Sequence, residues 1–119
     1  MKRKWTTTKL CKGGIVVVKN YLIEEDDPAK RAAAVDAISV LNQVHDLVLG
    51  GLVVDLDLDE EAVDLAQRDV LKATTLHLQR VIGAVPPGST VSKLQQLTGQ
   101  LQFVVARLPG GLTSLPDDD

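Results

Sequence analysis

The sequence predicts a mostly helical α+β domain: an N-terminal β-hairpin or extended arm followed by a three-helix bundle. Three observations carry that expectation. Between residues 28 and 107, apolar residues recur at spacings of three and four in three segments, each bounded by capping or breaking residues. Residues 5 to 23 are instead dense in Thr, Val, Ile, Trp and Tyr around a Gly-Gly pair. The 119 residues are 45% apolar but only 3% aromatic, so a single core must be built from Val, Leu, Ile and Ala. An all-helical arrangement and a small parallel βαβ unit are the alternatives.

Composition divides one domain, residues 1–119, into three parts. Residues 1–23 form a basic arm and hairpin: Lys2, Arg3, Lys4, Lys9, Lys12 and Lys19 all precede the first acid, Glu24. "WTTTKLC" and "IVVVKNYLI" read as strands, with Gly13-Gly14 supplying the positive φ of a tight turn. An isolated hairpin is marginal, so it must lie on helices or pair with another strand.

Residues 24–108 are the expected helical core. The first helix spans about 28–49, with Asp27 as N-cap, Pro28 at N1 and Gly50-Gly51 as the stop. Asp36, Ser39, Asn42, Gln43 and Asp46 share one arc of it; the remaining apolar arc is wide and predicts cover from two sides. The second helix spans about 60–84 and ends before Pro86-Pro87-Gly88, with a polar stripe of Glu61, Asp64, Arg68, Lys72, Thr75 and Gln79. The third spans about 90–107, capped by Ser89 or Thr90, with Val91, Leu94, Leu97, Leu101 and Val104 facing inward. Residues 109–119 are an acidic tail closing on Asp117, Asp118 and Asp119. "GGIVVVKNYLIEED" echoes "GGLVVDLDLDEE", as a duplicated β–α unit would. Helix stop, apolar segment and acidic cap recur in most folds, however, and the helices that follow show little identity.

"DLDLDEE", residues 55–61, invites a calcium reading. With Asp55 as position 1 of an EF-hand loop, Glu60 falls where glycine must turn and Ala66 where a bidentate carboxylate must ligate. Helix initiation accounts for the stretch instead. Asp59 caps, Glu60 and Glu61 meet the positive end of the dipole, and Leu58 and Val63 have hydrophobic-staple spacing. Extended alternation would turn Leu52, Val54, Leu56 and Leu58 one way and Val53 with the acids the other, toward water.

Several function classes are disfavoured. Cys11 is alone, so no intrachain disulfide can form. Charges rather than an apolar stretch follow Met1, and the apolar runs are short for a membrane span, which predicts a soluble, cytoplasmic protein. His45 and His77 lack any zinc-ligand spacing with Cys11 or each other and read as partly buried structural histidines. G-x-S-x-G, P-loop and G-x-G-x-x-G patterns are absent. The expectation is a non-enzyme with no catalytic residue, metal or cofactor.

Two sets of residues remain as candidate contacts. Phe103 lies opposite the apolar stripe of the third helix, among Gly99, Ala106, Gln96, Gln100, Ser92 and Arg107. An aromatic and an arginine among small residues and amides suit a protein interface. Lys2, Arg3, Lys4, Trp5 and Lys9 could meet phosphates or an acidic partner. The first reading predicts a non-enzymatic assembly protein, a subunit of a homo-oligomer or larger particle such as a virion. The second predicts a small nucleic-acid-binding regulator.

Overall fold

The computed structural model describes residues 5–110 and 112. Among them the elements are α1 (Thr7–Glu24), α2 (Pro28–Leu49), α3 (Glu60–Arg68), α4 (Val70–Ala84) and α5 (Ser89–Val105), with no strand. The α+β expectation is thereby corrected in two places: the hairpin is a helix, and the second of the three expected helices is two.

The first correction is a contest between local preference and periodicity. β-branched residues and two glycines disfavour a helix at 7–24, each glycine by about 1 kcal/mol relative to alanine. Yet Leu10, Cys11, Gly14, Val17 and Val18 recur at three and four, and all are buried on one face. Burying each large aliphatic side chain stabilises by about 1.5–3 kcal/mol, which outweighs the glycine cost. Gly14 makes no turn. A Cβ there would stand 3.2 Å from Leu41 Cδ1, so its bare backbone lets α1 lie close on α2. Thr6 caps the helix, accepting from the Lys9 amide at 3.3 Å.

The second correction falls at Asp69. Its backbone (φ −153°, ψ 93°) leaves the helical region. Its amide donates to Leu65 O at 2.6 Å, ending α3, and its Oδ1 accepts from the Lys72 amide at 3.2 Å, starting α4. Aspartate does this readily because its short side chain competes for backbone donors. The break re-aims the chain: Thr75, expected on the polar stripe, is buried and donates its hydroxyl proton to Leu71 O at 2.9 Å.

Other termini follow local chemistry. Asp27 Oδ2 accepts from the Lys30 amide at 3.1 Å, and Gly50 closes α2 over the expected span. Asp59 Oδ1 accepts from the Ala62 amide at 2.7 Å, capping α3. At α5 the N-cap is Gly88, without a side-chain bond, rather than Ser89 or Thr90.

α1 packs on α2 and α4, α5 packs on the same two, and α3 rests on α4. The four longer helices therefore close a cycle, α1–α2–α5–α4, around an aliphatic core that includes Leu10, Leu41, Leu71, Leu78, Leu94 and Leu101. Cover by both α1 and α5 explains the wide apolar arc of α2. By length and a mean hydropathy of 1.2 this helix would suffice to cross a bilayer, contrary to the expectation from apolar runs, but its inner face is occupied by this packing.

The segment joining α2 to α3 also departs from expectation. Val53 is buried while Leu52 and Val54 are exposed, the reverse of the expected alternation, whereas Leu56 and Leu58 pack on the core and Asp55 and Asp57 face outward as expected. The segment clasps the start of α1. The Thr7 amide donates to Leu56 O at 3.0 Å and the Leu58 amide to Trp5 O at 2.9 Å, around an isolated bridge between Thr6 and Asp57. Asp55 takes the Thr8 amide (3.0 Å) and hydroxyl (2.6 Å) on its two oxygens. Lys2, Arg3, Lys4 and most of the acidic tail, including Asp117 to Asp119, lie outside the described residues.

Candidate functional site

Phe103 sits two residues before the end of α5, with 60% of its surface exposed. Its helix turns Leu94, Leu97, Leu101 and Val104 inward, and the same periodicity turns Phe103 out. The Arg107 guanidinium carbon lies 4.2 Å from the ring centroid. That geometry holds the cation against the aromatic face and spreads both across the surface.

The tertiary structure adds a second wall. Asp36, Ser39, Val40 and Gln43 of α2 face Gly99, Gln100, Phe103 and Val104 of α5 across an open groove of about 480 Å³. Three members of the polar arc of α2 and the aromatic face of α5, separate in sequence, thus form one surface. Gly99 has no heavy atom within 4 Å of where a Cβ would stand, so the groove is open above it. Gln96 and Ala106 are exposed on α5 but do not line the groove.

The basic set is divided. Trp5 is half-buried against the core, so it serves packing rather than an open stacking platform. Lys9 is exposed on α1, in line with Lys12 and Lys19, which sequence reasoning had placed on a hairpin. The signal that could have found this stripe is the spacing 9, 12, 16, 19, 23, readable only once the segment is taken as helical.

The histidines do not converge with Cys11 on a ligand. Among the described residues no group of three His, Cys, Asp or Glu side chains could hold a metal ion. His45 Nδ1 lies 3.7 Å from Asp46 on its own helix. His77 is 1% exposed, with Nε2 2.7 Å from Thr7 Oγ1. Thr7 Oγ1 in turn stands 3.3 Å from Leu56 O. The network is satisfied when Nε2–H donates to Thr7 and the Thr7 hydroxyl donates to Leu56; Nδ1 then carries only a bare lone pair. Burial, and then the Arg80 charge, hold the His77 pKa below its ordinary value, so the ring is neutral. Cys11 is fully buried, which pushes its thiol up to about 12 and leaves it without nucleophilic character at neutral pH. His77 and Cys11 are therefore parts of the clasp and the core.

No protein-family model, curated protein or solved structure matches this chain.

Proposed function

We propose that the chain is a non-enzymatic assembly protein that associates with a second copy of itself through the α2–α5 face. The observation that carries this reading is the exposed Phe103, stacked with Arg107 at the rim of a groove whose far wall bears Asp36. Aromatic and arginine anchors dominate the energetics of protein contacts. The face also carries both signs of charge and amides that donate and accept. In a two-fold contact, residue i of one copy meets residue j of the other, and the reverse. A patch with an anion on one helix and a cation on the other can therefore match itself, Arg107 of each copy approaching Asp36 of its neighbour.

The test is sedimentation velocity over a concentration series to high micromolar. Wild-type protein is expected to dimerise or assemble further, with Phe103→Ala weakening association at least tenfold. Arg107→Asp and Asp36→Arg should each weaken it, and the two together should restore it. A strict monomer, unchanged by Phe103→Ala, overturns the reading.

A further inference from the structure

We propose a second contact between copies, head-to-tail, in which the outer stripe of α1 docks onto the groove between α3 and α4 of a neighbour. The donor surface is one line of exposed side chains at helical spacing: Lys9, Lys12, Val16, Lys19 and Ile23. Val16 is 44% and Ile23 79% exposed, and no acid occurs on α1 before Glu24. Lys12 and Lys19 stand about one turn to either side of Val16. The stripe is thus an aliphatic knob between two cations.

The acceptor surface has the opposite character. A groove of about 310 Å³ runs between α3 and α4, with Leu65 and Leu76 on its apolar wall and Glu61 on its lip. Leu76 is 46% exposed. Glu60 and Asp64 are exposed on the same helix as Glu61. Arg80, also in the lining, is already engaged by Asp59. What remains is an apolar slot with Glu61 on its lip and Glu60 and Asp64 on the same helix beyond it, suited to an aliphatic side chain flanked by lysines.

Complementary charge and complementary apolar content commit the pairing to a second copy. α1 spends its inner face on α2 and α4 of its own chain, leaving the stripe to solvent. Because donor and acceptor are different surfaces, each copy can bind one neighbour on each side, and the contact builds rings or filaments. A nucleic acid is the poorer occupant. Val16 and Ile23 interrupt the cations, and the stripe runs into Glu24, Glu25, Asp26 and Asp27.

The experiment is done in a Phe103→Ala background, which weakens the α2–α5 contact at least tenfold, and at concentrations below that contact's reach. Two further variants are made on it: Lys12→Glu with Lys19→Glu, and Glu61→Lys with Asp64→Lys. All four positions are exposed, and circular dichroism checks that each variant is folded. The parent should form oligomers by sedimentation velocity at low salt and dissociate at high salt. Each charge-reversed variant alone should associate at least tenfold more weakly. Mixed one to one, they should associate as the parent does, in alternating copies, since the reversed stripe of one variant meets the reversed groove of the other and the intact stripe meets the intact groove.

Three outcomes overturn the proposal. One is a parent that stays monomeric at low salt; if wild type still associates, the α2–α5 reading survives alone. Another is a pair of variants that each assemble alone as the parent does. The third is a mixture that stays monomeric while the lysine variant alone loses binding to a short single-stranded oligonucleotide, which assigns the stripe to phosphates.

Discussion

His77 joins three parts of the chain through two hydrogen bonds, to Thr7 and through it to Leu56. Protonation would place a second N–H on Nδ1, where no acceptor stands among the described residues, beside the Arg80 charge. The Leu56 carbonyl, then Asp59 and Asp55, oppose this, but burial and Arg80 prevail and the folded-state pKa is lowered from 6.5. Between the two values the unfolded chain binds more protons than the folded one. Stability is therefore full above about pH 6.5 and falls as pH drops from there through the folded pKa. Urea midpoints should be lower at pH 5.5 than at pH 7.5, and His77→Gln should flatten that difference. An equal slope in both proteins would place the sensitivity elsewhere. Asp59 gives a second residue-scale expectation, since it caps α3 and pairs with Arg80. Asp59→Ala should lose about 1 kcal/mol from the cap, and calcium should not shift the unfolding midpoint of the wild type. Asp55 and Asp59 already hold donors of the protein itself.

Glycine has opposite meanings in two of the helices. In α1, Gly14 faces Leu41 at a distance where any Cβ crowds the methyl group. In α5, Gly99 faces open space. Gly99→Ala should raise stability by about 0.5–1 kcal/mol through helix preference alone. Gly14→Val should lower it by about 1–3 kcal/mol by forcing α1 from α2. Thermal unfolding of the two variants distinguishes these signs, and two changes of the same sign would contradict the packing described. Because Gly99 also lines the α2–α5 groove, its alanine variant should gain stability as a monomer while associating more weakly.

For the molecule as a whole, the cycle of α1, α2, α5 and α4 makes the core one cooperative unit. Cys11 reports on it, since its thiol is fully buried and raised to about 12. Thiol-specific labelling at neutral pH should proceed at the rate of unfolding, and urea should accelerate it in step with loss of helical circular dichroism. Rapid labelling of the folded protein would mean that α1 opens separately. The surface outside this core carries two unlike patterns. The α2–α5 face holds both charges and an aromatic, while the α1 stripe and the α3–α4 groove hold opposite charges apart. Together they would allow two-fold pairing and head-to-tail extension in the same particle.

The sequence by itself determined the features that act over one helical turn. Asp27, Pro28 and Gly50 set the ends of α2, and Asp59 the start of α3, because caps need only a side chain and the next three amides. The outward placement of Phe103 was legible for the same reason, since α5 periodicity alone decides it. Tertiary structure decided what depends on distant partners. Residues 7–24 prefer β locally and become a helix because α2 and α4 bury one face of it. Asp69 could have stayed inside one helix spanning about 60–84 and instead divides two. The groove joining Asp36 to Phe103, and the bond from His77 to Thr7, connect residues about 70 positions apart. No local preference encodes such pairs; they form only when the core closes and apolar burial outweighs the preferences of the segments it brings together.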